Sequence, residues 1–264
     1  MKKNNKEFDF VKGILTDIDG TLYFKGVPIP GAIETVSRLR DVGIKLIFLT
    51  NTDSKSPRTV IRTLQEYGFN IKDEEVFTPI IALKEFLSNY PNKKSYLVTT
   101  KEVEMEFHDI TQVKRSEKAD FVIISDFHDD WNVNRLNEAF KYLLKGAKLL
   151  GTQGNRYYLD RNGEPVIDTG SFVQMLASAA NVTPRIFGKP SADYFSNALK
   201  KINLAANETI VIGDDLESDI QGANNAGIKG VLVKTGKGQF ITPSEMLIKP
   251  YKIINSFSSI LEFF

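Results

Sequence analysis

The stretch Gly13-Ile14-Leu15-Thr16-Asp17-Ile18-Asp19-Gly20-Thr21 decides the fold. An apolar run leads into two carboxylates spaced i, i+2, followed by a glycine and a hydroxyl. Residues two apart on a strand point to one side, so Asp17 and Asp19 face a common spot where a buried strand emerges. Two carboxylates held together repel each other and call for a hard cation, and oxygen ligands of this kind suit Mg²⁺. Gly20 lets the chain turn sharply and approach a ligand closely. The pattern is one for holding a metal and attacking phosphorus.

Working outward, strand and helix signals alternate along the whole chain, which predicts a parallel sheet covered by helices. Val11 to Asp19 reads as a buried strand, followed by a small hairpin turning at Lys25-Gly26. A helix opens at Pro30-Gly31 and ends at Gly43; a second buried strand runs from Ile44 to Leu49, and another helix from Pro57 to Tyr67. In the middle, Tyr96 to Thr99, Phe121 to Ser125 and Lys148 to Thr152 read as short strands, with an amphipathic helix at Leu136 to Leu144. Asp160-Arg161-Asn162-Gly163 is a hairpin turn signal between Tyr157-Tyr158 and Val166-Ile167. A helix from about Ser171 to Ala180 comes next. The larger pattern resumes with Pro184 to Phe187, a helix from Ala192 to Ile202, a strand Thr209 to Ile212, a helix Leu216 to Ala226 and a strand Gly230 to Val233.

The totals narrow the function classes. The chain has 264 residues and a formal net charge of +1. Length allows one large domain or two moderate ones, and near-neutral charge gives no reason to expect nucleic acid or an anionic membrane as partner. No apolar run approaches a membrane span, and the basic Lys2, Lys3 and Lys6 precede no apolar core of a secretory signal. The absence of cysteine excludes thiolate nucleophiles, disulfides and cysteine-ligated zinc, and fits a cytoplasmic location. With only His108 and His128, a histidine-rich metal site has little to work with.

Three further groups stand where strands end, the place where open α/β sheets bind ligands. Thr50-Asn51 follows Ile44 to Leu49. Gly188-Lys189-Pro190 follows Arg185-Ile186-Phe187. Gly213-Asp214-Asp215 follows Ile210-Val211-Ile212, with Asp219 one helical turn on. A transferring phosphoryl group spreads negative charge over its equatorial oxygens. Thr50 and Asn51 offer donors to those oxygens, and Lys189 and Mg²⁺ offer positive charge. Asp17 is placed to be the nucleophile, and Asp19 to protonate the leaving atom and then deprotonate water. Asp214 completes the metal site, with Asp215 and Asp219 ligating through water or orienting Lys189 and the loop. Each group alone is an ordinary turn or helix cap; the combination, in this order, is not.

On these motifs the chain resembles the haloacid dehalogenase superfamily of phosphotransferases. The resemblance implies that Asp17 is phosphorylated, that Asp19 is the acid/base, and that the metal is held by Asp17, the backbone carbonyl of Asp19 and Asp214. An acid at position 19 argues for a phosphatase over a dehalogenase. The insert between Thr50-Asn51 and Lys189 is similar to the C2-type cap of the NagD-like subfamily. Asn51 to Ser56, Arg156-Tyr157-Tyr158, Gly170-Ser171-Phe172 and Gly188 to Ser191 look closest to the phospholysine phosphohistidine inorganic pyrophosphate phosphatase branch. That suggests small phosphorylated metabolites, pyrophosphate or phosphoramidates as substrates, and a homodimer through the cap. Thr152-Gln153-Gly154-Asn155-Arg156 departs from the Thr-Asn-x-Asp loop of NagD-like relatives. Asn155 and Arg156 either contact substrate or form a solvated turn.

The expectation is thus a doubly wound, Rossmann-like α/β core from residues 1–80 and 183–264. A smaller α/β cap, 81–182, is inserted to close over the site and choose the leaving group. Two other readings stand beside the phosphatase: phosphoryl transfer to an acceptor other than water, and a non-catalytic phosphate-binding protein. Gly236-Lys237-Gly238 hints at a phosphate loop, but its spacing and its lack of a hydroxyl reject a nucleotide P-loop. The stretches around His108 and His128 read as solvated surface, and Trp131, Phe263 and Phe264 as packing.

Overall fold

Runs of buried aliphatic residues make the strands, and amphipathic stretches between them make the helices. The computed structural model describes residues 6–114, 117–160, 162–241 and 247–264. Lys2 and Lys3 of the basic N-terminus and Arg161 of the hairpin turn lie outside the described residues. Along the chain come β1 (Gly13–Asp17), the two-residue strands β2 (Tyr23–Phe24) and β3 (Val27–Pro28), α1 (Ala32–Asp41), β4 (Lys45–Leu49) and α2 (Pro57–Glu66). Next are β5 (Val76–Phe77), α3 (Pro79–Leu87), β6 (Ser95–Val98), α4 (Lys101–Glu106), β7 (Phe121–Ile124), α5 (Val133–Leu144) and β8 (Lys148–Gly151). After them stand β9 (Tyr157–Leu159), β10 (Pro165–Ile167), α6 (Thr169–Ala180), β11 (Arg185–Ile186) and α7 (Ala192–Ile202). The chain ends with β12 (Thr209–Gly213), a π-helical turn (Leu216–Gln221), α8 (Gly222–Asn225), β13 (Lys229–Val233) and β14 (Lys252–Ile254).

Internal packing divides the chain into two units. The first comprises Met1–Thr50, Ile61–Phe77 and Pro190–Phe264; the second comprises Asn51–Val60 and Thr78–Lys189. The first unit holds a six-stranded parallel sheet in the order β14-β13-β12-β1-β4-β5. β1 pairs with β12 on one side (Thr16 opposite Ile212) and with β4 on the other (Asp17 opposite Leu49). Successive strands step outward from β1 in one direction and from β12 in the other. This is the doubly wound arrangement, and its switch point lies between the carboxyl ends of β1 and β12.

All residues of β1 and β12 are buried, as strands covered on both faces must be. Helix α1 buries Ala32, Thr35, Val36 and Leu39, a stripe at helical spacing. Helix α7 buries Tyr194, Phe195, Ala198, Leu199 and Ile202 in the same way. Each fully buried Val, Leu, Ile or Phe side chain contributes roughly 1.5–3 kcal/mol of apolar transfer. Phe263 packs edge-on against the buried Phe8, with ring centroids 5.1 Å apart.

The second unit holds a four-stranded parallel sheet, β11-β8-β7-β6, and the separate antiparallel hairpin β9–β10. Val122, Ile124 and Leu149 of its sheet meet Ala139 and Leu143 of α5 and Val173, Leu176 and Ala177 of α6 in one apolar core. The hairpin expected from its turn signal is present, with Tyr158 opposite Val166 and Tyr157 opposite Ile167. One assignment is corrected. The segment Pro184 to Phe187 does not resume the larger sheet: Arg185 and Ile186 pair with Leu150 and Gly151 of the smaller one. The Phe187 N–H extends that ladder to the Gly151 carbonyl at 2.9 Å. A two-residue strand carries no periodicity, so its sheet is set by what lies beside it. His108 and His128 are exposed, and the His128 Nδ1 lies 2.9 Å from Asp126 Oδ1.

Candidate active site

The first unit gathers its carboxylates at the switch point. Asp17 is the last residue of β1, and Asp214 directly follows β12. Asp219 lies on the π-helical turn after β12, a wide turn of the kind often found at functional sites. The Asp215 carbonyl accepts from both the Asp219 and Ile220 N–H groups, at 3.0 and 3.2 Å, which marks where the turn widens. Asp17, Asp214 and Asp219 are 6%, 5% and 1% exposed. Each offers a carboxylate oxygen within 4.8 Å of the others.

Neighbours fix these groups. The Thr21 hydroxyl donates to Asp17 Oδ2 at 3.0 Å. Asp219 Oδ2 accepts the Asp215 N–H at 3.1 Å, while Asp215 Oδ1 caps the turn by accepting the N–H groups of Glu217 and Ser218. Asp214 Oδ2 accepts the Lys237 N–H at 2.6 Å, and Lys237 Nζ reaches Asp215 Oδ2 at 2.6 Å. Gly20 (φ +87) and Gly236 (φ +52) press their backbones on the Asp214 carboxylate, and a Cβ on either would collide with its Oδ2. Thr235 ties the two glycine turns together by donating to the Gly20 carbonyl at 2.6 Å.

Burial, and then the charges of Asp17 and Asp219, push the Asp214 carboxyl well above the ordinary range. Burial also raises the Tyr23 phenol, helped by the charges of Asp19 and Asp17. Three desolvated carboxylates this close together are unfavourable as anions, and a divalent cation offsets the cost of both desolvation and repulsion. Their all-oxygen donor set fits Mg²⁺. Asp19 is exposed, and its carboxylate is not part of this cluster. Asp219, which the sequence reading puts behind Asp17 and Asp214, stands beside them in the cluster.

The second unit gathers a different set. Asn51 Oδ1 accepts the Lys189 N–H at 2.8 Å, and its Nδ2 donates to the Lys189 carbonyl and to Asn155 Oδ1, both at 3.0 Å. Lys189 is buried, as is Thr50 in the first unit, whose carbonyl lies 3.0 Å from the Tyr194 hydroxyl. Arg156 is exposed, and its carbonyl accepts the Asp168 N–H at 3.0 Å and the Ser171 hydroxyl at 2.7 Å.

Comparison with known proteins places the chain. The sequence profile of a family described as haloacid dehalogenase-like hydrolase matches residues 14–111, and one described as HAD-hydrolase-like matches residues 186–260. Haloacid dehalogenase-like hydrolase domain-containing protein 2 of Rattus norvegicus is 33% identical over 247 residues, 94% of this chain and 93% of that protein. The chain belongs to the haloacid dehalogenase-like hydrolase family. A phospholysine phosphohistidine inorganic pyrophosphate phosphatase of Rattus norvegicus is 33% identical over 233 residues, 86% of this chain and 84% of that one. Among solved structures, a 4-nitrophenylphosphatase from Thermotoga maritima superposes with a TM-score of 0.84 at 25% identity, over 96% of this chain and 97% of that one. NagD from E. coli gives 0.80 at 25% identity, over 94% and 97%.

In each unit of this haloacid dehalogenase-like hydrolase, a residue beside the candidate groups escaped the sequence reading. Gly236-Lys237-Gly238 fails as a nucleotide loop, yet Lys237 braces Asp214 and Asp215. The available signal was its position just past the end of β13, as the other groups follow their own strands. In the second unit, Asp53 is buried with Thr152 Oγ1 2.5 Å from its Oδ2. Burial and the neighbouring Asp168 push its carboxyl up to about 8. No pattern in the sequence marks a lone aspartate in a Ser/Thr/Lys-rich segment as buried.

Proposed function

We propose that this hydrolase is a Mg²⁺-dependent phosphatase working through an aspartyl phosphate on Asp17. The observation that carries this reading is the buried cluster Asp17, Asp214 and Asp219 at the switch point of the sheet. An Asp17 oxygen attacks phosphorus, the bond to the leaving atom breaks, and that atom takes a proton from Asp19. Water then attacks the phosphorus of phospho-Asp17, Asp19 takes its proton, inorganic phosphate departs and the Asp17 carboxylate is restored. Thr21 orients Asp17 through the bond to Oδ2. Asp19 is exposed beside a buried nucleophile, as suits a group that must exchange its proton with water. Asp17, Asp214 and Asp219, with the Asp19 carbonyl, would hold Mg²⁺, which would supply positive charge to the phosphoryl oxygens.

Thr50, Asn51 and Lys189 are assigned to those same oxygens, and residues 81–182 to the cap that selects the leaving group. The names of the relatives suggest small phosphate monoesters, pyrophosphate or phosphoramidates as substrates. The test is hydrolysis of p-nitrophenyl phosphate with Mg²⁺, with EDTA, and by two variants. Activity should need the metal. Asp17→Asn should be folded and inactive, and Lys189→Ala should lose roughly 10²–10³ in kcat. A folded Asp17→Asn protein with unchanged turnover eliminates the mechanism.

A further inference from the structure

Within the second unit a chain of hydrogen bonds ends on Asn51 and Lys189, two of the three residues assigned to the phosphoryl group. It begins at Asp168, the N-cap of α6, whose Oδ1 accepts the Thr169 N–H at 2.8 Å. The same oxygen accepts Gln153 Nε2 at 2.6 Å. At its other end, Gln153 Oε1 accepts the Asn155 N–H at 2.6 Å. Asn155 Oδ1 in turn accepts Asn51 Nδ2, and the Asn51 amide grips both the N–H and the carbonyl of Lys189.

Gln153 is 1% exposed, so its amide has left water entirely. Burying a primary amide costs free energy unless both of its ends are paired, and here both are. An apolar side chain of similar volume could fill the space but would make neither bond. What glutamine adds is direction: its carbonyl fixes the backbone of Asn155, which leaves the Asn155 side-chain oxygen facing Asn51. The orientation of the Asn51 amide then follows from its partners, with its oxygen on an N–H donor and its nitrogen on two oxygen acceptors.

We propose that Gln153 is a positioning residue for phosphate recognition: by bridging Asp168 to Asn155 it holds Asn51, and through Asn51 the backbone of Lys189, in the geometry that meets the phosphoryl group. This rests on the assignment of Asn51 and Lys189 to phosphate made above.

The test compares wild type, Gln153→Leu, Asn155→Ala and the double variant. The readouts are kcat and KM for p-nitrophenyl phosphate, the inhibition constant of inorganic phosphate, the Mg²⁺ half-saturation concentration, and the melting temperature. Displacing a recognition group by about 1 Å can cost on the order of 100-fold. A loss approaching that size is expected in kcat/KM, with inorganic phosphate inhibiting several-fold more weakly. Mg²⁺ half-saturation should not change, because the cluster Asp17, Asp214 and Asp219 belongs to the other unit. The double variant should be no worse than the poorer single variant, since both cut one chain of bonds. If Gln153→Leu does not fold, Asn155→Ala carries the test, because it removes the link to Asn51 and leaves both Gln153 bonds in place. Folded variants with wild-type phosphate inhibition and kinetics overturn the inference and leave the phosphatase reading standing. A wild-type protein that neither hydrolyses the ester nor is inhibited by phosphate sinks the reading itself, and the inference with it.

Discussion

Single residues here do work that their types alone do not announce. Asp53 is the clearest case. Its carboxyl is pushed up to about 8 by burial and by Asp168, against an unfolded value near 4. An acid whose folded pKa lies above its unfolded one holds its proton more tightly when folded. Its contribution to stability is therefore full below about pH 4 and is lost as the pH rises through 8. The melting temperature of the wild type should fall between pH 5 and pH 8.5. In Asp53→Asn, which keeps an acceptor for Thr152, that fall should be markedly shallower. Parallel melting profiles for the two proteins would show that Asp53 is ionised throughout. Lys237 makes the complementary point: a loop lysine becomes part of a site because Gly236 lets its backbone reach Asp214.

At the scale of elements, the strand ends carry the site. Asp215 both caps the turn that presents Asp219 and pairs with Lys237. Asp215→Ala loses both functions and should cost about 1–2 kcal/mol in denaturant unfolding. Asp215→Asn keeps a capping oxygen and should lose clearly less; equal losses would mean that the ion pair, not the cap, dominates. The strands that could be read in the sequence were those with long apolar runs ending in Asp, Asn or Gly, namely β1, β4 and β12. Their ends gave Asp17, Asn51 and Asp214 as candidates. β11 belongs to the smaller sheet, which its two residues are too few to signal. The helix expected from Leu216 to Ala226 is a π-helical turn followed by a short α-helix. Backbone register of that kind is set by packing around Asp219 and leaves no mark in hydrophobic spacing.

For the whole molecule, the carboxylate cluster and the Asn51–Lys189 set belong to different units of one chain, and their contributions can be measured apart. Mg²⁺ binding to the folded protein should stabilise it by about 2.7 kcal/mol when present at 100 times its dissociation constant. Asp214→Asn removes one of three crowded, buried carboxyl groups. It should raise the stability of the metal-free protein and abolish the Mg²⁺-dependent gain, as followed by thermal melting with and without the ion. A Mg²⁺ gain that survives the substitution would place the ion elsewhere. The most direct measurement is of the covalent intermediate. Enzyme turning over a phosphate ester with Mg²⁺ is quenched in acid, reduced with borohydride and mapped by peptide mass spectrometry. Conversion of Asp17 to homoserine is the predicted result; steady turnover with no modification at position 17, or with modification at another carboxylate, would contradict it.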